Sequence, residues 1–499
     1  MRCVQAPSLL TPFTASGTKA QPAGKAALGQ YMTPHPIAAF MASLFPQNFS
    51  TFHLLDAGAG RGSLTCAFLD ALRQRKDACP QGEVSLVEYD ANLLQELHRN
   101  ATKAIGTLLV QCHVQQADFI AYATELVARK QRPFTHAILN PPYKKIRSDS
   151  THRALLHDVG IETVNLYTAF VALSLALLQP GGTLMAIIPR SFCNGPYYRP
   201  FRYFVLQHAA IRSIHLFTSR TEAFKADKVL QENILLTLER DAKQAEVIIS
   251  CSENSAMDDY HETKHPFGDI VRPEDSEKFF FIPHNQDMEK IPLAANRSLT
   301  SLGLDVSTGP VVDFRLKEYL HPMPLPGDVP LLYPGHFNGS TQWPRHPFKK
   351  PNALAFCPET RKWLYPNGHY VIVRRLSSKE EKRRVTAYHV QPESFPGQDY
   401  LAFENHLNVF HRCKRSLPRD LAHGLMLYLN TPFVDAFFRC FNGHTQVNAT
   451  DLRSLPYPSA SILTKLGQWA LEHPNLSQEE IEYYLNATLI ERQPQDSTP

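Results

Sequence analysis

The feature that most constrains the fold is a glycine-rich turn, "LLDAGAGRGS", between a strand candidate and a helix candidate. Gly58, Gly60 and Gly62 follow the apolar run "FHLLDAG" and precede "SLTCAFLDALRQR". Glycines at that junction permit a tight turn and let a ligand approach the backbone at the helix N-terminus. The same alternation continues along the chain. "VSLVEYD", "THAILNPP" and "TLMAIIP" read as buried strands, while "ANLLQELHRNA" and "LYTAFVALSLALL" carry helical periodicity. Strand–helix alternation from Leu28 to about Arg240 predicts an α/β domain with a mostly parallel sheet.

A chain of 499 residues exceeds one ordinary core, so two domains are expected. Between Cys251 and Thr300 the sequence turns polar and irregular ("SENSAMDDYHETKHPFGD"), which sets the expected boundary. Residues 1–25 read as a flexible lead-in, 26–275 as the α/β domain and 276–499 as a mixed α+β domain. In the latter, prolines are dense, strands are short ("HYVIVRR", "VTAYHV"), and "LAHGLMLYLNTPFVDAFFRCF" reads as one helical segment. The nine cysteines form no CxxC pair, which argues against a zinc site or disulfide framework and for a reducing compartment. No run of about 18 apolar residues predicts a membrane span. The formal net charge is only +4, so any nucleic-acid surface must be local.

Two acids stand where a nucleoside would need them. Asp56 ends the first strand and Glu88 the second. A carboxylate at the second strand's end can accept from both hydroxyls of a ribose diol. That suits either a dinucleotide or S-adenosyl-L-methionine. The two separate at the fourth strand, in "HAILNPPYKK". Its two prolines fix φ and remove donors, so neither sheet nor helix continues there. Asn140 and Tyr143 sit on a stiff turn suited to gripping a flat, polar ligand. A dehydrogenase has no use for that turn; a methyltransferase acting on a planar amine does.

In order, "YMTPHPIAAFMASLF", "LLDAGAGRGS", "LVEYD", "QADFIAY", "NPPY" and "EAFKADKVLQENIL" resemble the γ-type amino-methyltransferases that modify N6 of adenine in DNA. "STGPVVDFR", "PLLYPGHFNG" and "NGHTQVNATDLRSLPYP" resemble the target-recognition region of Type II modification methylases. One departure is Tyr89, where an aliphatic residue is commoner. The resemblance implies a Rossmann-like S-adenosylmethionine-dependent methyltransferase domain followed by a mixed α+β target-recognition domain. It implies that Asn140, Pro141, Pro142 and Tyr143 are catalytic. Thr33, Asp56, Gly58, Gly60, Gly62, Glu88, Asp118 and Phe119 would hold S-adenosyl-L-methionine, and Tyr143 with Phe224 would stack on a flipped adenine. Double-stranded DNA is the implied partner, protected from a separate cognate restriction endonuclease, in a prokaryotic cytoplasm. No metal is implied.

Plainer readings stand beside several of these residues. Asp118 suits an N-cap, Thr33 with Pro34 a helix start, and Phe224 a core position. Arg374, Arg375, Lys379, Lys382, Arg383 and Arg384, in "VIVRRLSSKEEKRRVTAYHV", are candidates for DNA contact or a solvated hairpin end. Lys144 and Lys145 stand where a phosphate flanking the flipped nucleotide would lie, or serve only to keep the turn soluble. The alternative substrate for the same chemistry is an RNA adenine or a protein glutamine amide, whose nitrogen lone pair is delocalised in the same way.

Overall fold

The computed structural model describes residues 33–46, 48–75, 80–217, 232–254, 257–283, 295–378, 380–473 and 476–490. The chain divides into two compact units, residues 1–284 and 285–499. The division falls later than the expected 275/276 because Phe279, Phe280, Phe281 and Ile282 are buried within the first unit. There the Phe280 N–H donates to the Cys193 carbonyl at 2.9 Å and the Phe281 N–H to that of Ile270 at 2.8 Å. The lead-in expected over residues 1–25 lies outside the described residues.

Among the described residues the first unit is built on nine strands: β1 (Thr51–Ala57), β2 (Gln81–Glu88), β3 (Val110–Gln116), β4 (Phe134–Leu139), β5 (Leu178–Pro189), β6 (Ala209–Phe217), β7 (Asn233–Arg240), β8 (Val247–Ser252) and β9 (His261–His265). They form one sheet in the order β3-β2-β1-β4-β5-β7-β6-β8-β9. The first five pair in parallel, whereas β7 runs antiparallel to both β5 and β6. The expected mostly parallel α/β sheet is therefore present, with an antiparallel extension. Strand β3 was not among the expected strands. It lies at the sheet edge, where "VQCHVQQ" has only Val110 and Cys112 buried, so it lacks the apolar run that marks the central strands.

Helices cover both faces, because successive β1 side chains point opposite ways. Leu54 packs with α1 (His35–Ser43), α2 (Ser63–Arg73) and α3 (Ala91–Ile105). Leu55 packs with α4 (Phe119–Ala128), α5 (Thr151–Asp158), α6 (Leu166–Leu177) and α7 (Arg199–His208). Helix α6 is buried nearly all round, which explains why "LYTAFVALSLAL" is apolar on every face.

The second unit holds a four-stranded antiparallel sheet ordered Asp305–Thr308, Leu407–His411, Tyr370–Arg374, Ala387–Val390, and a second sheet of five short strands. The single helical segment expected there is two helices, Arg419–Leu429 and Pro432–Phe441, and among the described residues three more follow, Ala449–Arg453, Ala460–Glu472 and Gln478–Ile490. Thr431 caps the second, its Oγ1 accepting the Val434 N–H at 3.3 Å, and Pro432 occupies the first turn. Both are start signals that an apolar periodicity running through them conceals. No helix among the described residues is long and apolar enough to cross a membrane.

Candidate active site

Strand order sets the location of the site. Strand β1 has β2 on one side and β4 on the other, so the chain reverses its direction of winding between β1 and β4. Helices leaving the two strands diverge there, and a crevice opens beyond their carboxyl ends. The register pairs Asp56 with Ile138 and Ala57 with Val87. One and two residues further on, the glycine turn therefore lies level with Glu88 on one side and Asn140 on the other. The pairing of Glu88 with Gln116 places Asp118 just beyond the same edge.

The turn itself is left-handed at Gly58, Gly60 and Gly62, with φ of 75°, 55° and 82°. A Cβ on Gly58 would also meet Phe170 of α6 at 3.4 Å. Side chains are thus excluded by conformation, and the backbone stays open to a ligand. Glu88 is buried and clamps the turn. Its Oε2 accepts the Gly60 N–H at 2.8 Å, and its Oε1 accepts the Asp90 N–H at 2.7 Å. Each oxygen keeps a further lone pair for a donor such as a ribose hydroxyl.

Asp56 is wholly buried beneath the turn. Oδ2 accepts from the Thr65 hydroxyl at 2.7 Å, while Oδ1 has no hydrogen-bond partner. Burial raises its pKa to about 7, against the lowering bonds from Thr65 and with a smaller push from Glu88. A buried carboxylate oxygen without a donor is costly, and the methionine end of S-adenosyl-L-methionine carries donors and positive charge that fit it. Asp118 caps α4, its Oδ1 accepting the Ala121 N–H at 3.1 Å, and its Oδ2 lies 2.8 Å from His152 Nε2 at the start of α5. Burial works to raise the Asp118 carboxyl, but the bonds from His152 and the α4 backbone outweigh it and leave it below the ordinary value. The same pairing raises His152. Phe119 is buried, its ring 4.7 Å from that of Phe170. The residues expected to hold the cofactor are therefore brought to one edge, and their donor and acceptor chemistry fits it.

At the end of β4, Asn140 is held on both sides. Its Nδ2 donates to Thr33 Oγ1 at 3.0 Å. The Tyr143 hydroxyl lies 3.0 Å from Asn140 Oδ1 and 3.3 Å from the Ile187 carbonyl oxygen, so its one proton serves two acceptors. Pro141 is buried and Pro142 half-buried. Beyond the prolines the chain is pinned: the Lys144 carbonyl accepts the Leu166 N–H at 2.8 Å, and the Ile146 N–H donates to Val164 O at 2.8 Å. The Lys144 and Lys145 side chains are exposed.

Several residues in this constellation were not legible beforehand. Thr33 was expected at the cofactor; its hydroxyl accepts from the Asn140 amide, a contact the sequence did not suggest. The Tyr143 ring stands edge-on to Tyr167 at 6.2 Å. Tyr167 is fixed through Ser191 at 3.0 Å, and Asn165 donates to Tyr198 at 2.8 Å beside them. Within "LYTAF" a buried tyrosine reads as plain helix core, and only its unmatched hydroxyl hints at more. Phe224 lies outside the described residues.

In the second unit the basic stretch joins two paired strands, Tyr370–Arg374 and Ala387–Val390. Arg384 is not available for a DNA contact. It is buried, its guanidinium donating to Asn442 Oδ1 at 3.1 Å and to the His444 carbonyl and lying 5.5 Å from the Phe438 ring. Arg374 pairs with Glu381 at 3.0 Å, and Arg375 donates to the Asn405 carbonyl at 3.3 Å. Lys382 is exposed and Arg383 half-buried. Lys379 lies outside the described residues.

The sequence profile of the family described as Eco57I restriction-modification methylase matches residues 68–224. The chain is 47% identical over 479 residues to the Type II methyltransferase M.BsuBI of Bacillus subtilis, covering 93% of this chain and 95% of that one. It is 40% identical to the Type II methyltransferase M.PstI of Providencia stuartii, over 93% of each. Among solved structures, the Type IIL restriction-modification enzyme MmeI in complex with DNA is matched at a TM-score of 0.49 and 12% identity, over 89% of this chain and 71% of that one.

Proposed function

The chain belongs to the Type II methyltransferases of restriction-modification systems, and we propose that it methylates N6 of adenine at a specific short sequence in double-stranded DNA. S-adenosyl-L-methionine is its expected cofactor, supplying a methyl group on a sulfonium that already carries a good leaving group. The chain's own task is to make a poor nucleophile attack in line. The adenine N6 lone pair is delocalised into the ring. Two neutral acceptors on its protons favour the tetrahedral geometry in which that lone pair is free. In this reading Asn140 Oδ1 is one acceptor, and the Pro141 carbonyl, held by the following proline, is the other.

The single observation that carries the reading is the two-sided grip on the Asn140 amide. Thr33 engages its nitrogen and so directs its oxygen away, toward Tyr143. When an N6–H approaches Oδ1, the Tyr143 proton has the Ile187 carbonyl to turn to, and no hydrogen bond is lost. Positioning of this kind accounts for much of the barrier reduction in a transfer between two bound partners.

A base within a duplex cannot reach this turn and has to be flipped out. The Tyr143 face then receives it, with Phe224 as the second contact, each stack contributing about 1–3 kcal/mol. The second unit is the target-recognition domain, and a separate cognate endonuclease is the functional counterpart. The experiment is direct. Purified protein with labelled cofactor and duplex DNA should yield N6-methyladenine on nucleoside analysis. Methylcytosine alone, or label confined to RNA or protein, would overturn the reading.

A further inference from the structure

The strand Leu407–His411 of the second unit ends in a two-residue reversal. The Arg412 N–H donates to the Arg415 carbonyl at 3.0 Å, and the Arg415 N–H returns to Arg412 at 2.8 Å. Between them Cys413 and Lys414 are both left-handed, with φ of 48° and 61°. A turn of this kind favours Asn-Gly, because side chains with a Cβ resist positive φ. Here the sequence is Arg-Cys-Lys-Arg, and all four residues are exposed. Arg412 and Arg415 also face each other across the ladder, where like charges repel. Two unfavourable choices thus coincide in four residues.

The turn is nonetheless built and held. His411 is buried, and its Nδ1 accepts the Lys414 N–H at 3.2 Å, leaving Nε2 to bond Ser307 Oγ at 2.8 Å. Lys414 Nζ donates to the Lys362 carbonyl at 3.3 Å. This brings the turn beside a second basic segment, the short helix Arg361–Trp363, where Lys362 Nζ lies 4.7 Å from the Trp363 ring. Among the described residues, Arg361, Lys362, Arg412, Lys414 and Arg415 make no ion pair with a carboxylate. The basic stretch after Arg374 behaves oppositely, since Arg374 is paired and Arg384 buried. The two regions occupy opposite ends of one strand pair, because Arg374 is level with Leu407 and the turn follows His411.

Strained backbone clusters at functional sites, and the repulsion between Arg412 and Arg415 is relieved by a polyanion laid against the turn. We propose that the turn at residues 412–415, with Arg361 and Lys362 beside it, contacts the phosphate backbone of double-stranded DNA. This rests on the reading of the protein as a DNA methyltransferase and goes further by naming the surface.

The test is duplex binding by the full-length protein, followed by fluorescence anisotropy across a salt series. Each phosphate contact contributes about 0.9 to the slope of log K against log salt. The variant Arg412→Gln/Lys414→Gln/Arg415→Gln should flatten that slope by about 2–3, equally on target and non-target duplexes. Its cofactor binding and thermal midpoint should be retained. Cys413→Asn/Lys414→Gly relaxes the turn while removing one charge. It should raise the thermal midpoint and still flatten the slope by about 1, and it decides the matter if the triple variant does not fold. An unchanged slope in either folded variant, with wild-type protein binding normally, overturns the proposal alone. Wild-type protein that binds no duplex overturns the underlying reading, and the proposal with it.

Discussion

In the proposed reaction the Asn140 amide presents its oxygen and not its nitrogen, and two hydroxyls engage it in that sense. Thr33→Val keeps the shape of the side chain but removes the acceptor for Nδ2. A neutral hydrogen bond is worth about 0.5–1.5 kcal/mol, so turnover should fall by roughly 2- to 13-fold, with Thr33→Ser retaining wild-type turnover. If the loss appears in cofactor affinity and not in turnover, Thr33 serves the cofactor instead. Asn140→Ala should lower turnover far more than DNA affinity, because the contact strengthens as N6 pyramidalises. Tyr143→Phe keeps the stacking face but loses the bond to Oδ1, so it should lie between wild type and Tyr143→Ala. Fluorescence of 2-aminopurine at the target position separates the two, since only the alanine variant should reduce the flipped population. The turn "NPPY" was legible as a stiff turn at a strand end, because two prolines have few structural uses there. The Thr33–Asn140 contact was not, because it joins residues 107 positions apart.

The element that assembles the cofactor edge is the glycine turn clamped by the end of β2. Glu88 bonds the turn's own backbone through one oxygen and the entry to α3 through the other. Glu88→Ala therefore removes a ligand acceptor and leaves the Gly60 N–H without its partner. Cofactor affinity should fall by about 1.5–3 kcal/mol, read by calorimetry on folded protein. Unchanged affinity would remove Glu88 from the site. Strands β1, β2, β4 and β5 were legible because burial on both faces makes them continuous apolar runs. Edge strand β3 was not, since half its surface is free to be polar. The helix break at Thr431 was hidden for the opposite reason, because apolar residues on both sides of it are buried.

At the scale of the whole molecule, a net charge of +4 concealed both a local basic turn and a set of buried titrating groups. Burial lowers His136 and His215 to about 4 and His389 to about 3, the last with added repulsion from His369, His423 and Arg419. All three are bases whose folded pKa lies below the ordinary value of 6.5. The unfolded chain therefore binds protons that the folded protein refuses. Their contribution to stability is complete above about pH 6.5 and is lost as the pH falls toward 4, by up to about 1.4 kcal/mol per pH unit for each histidine. Asp56 works in the other direction. Its folded pKa of about 7 lies above the ordinary 3.8, so its contribution is present in acid and is lost as the pH rises through 7. Without cofactor, the thermal midpoint should fall steeply below about pH 6, where the three histidines outweigh the single opposing group, Asp56. Asp56→Asn should steepen that acid limb, because the opposing contribution acts between about pH 3.8 and 7. Binding of the cationic cofactor favours the Asp56 carboxylate, so at pH 7 wild-type protein should release a fraction of a proton on binding and Asp56→Asn none. Calorimetry in buffers of different ionisation enthalpy measures that release. Equal release from both proteins would mean that Asp56 does not face the bound ligand.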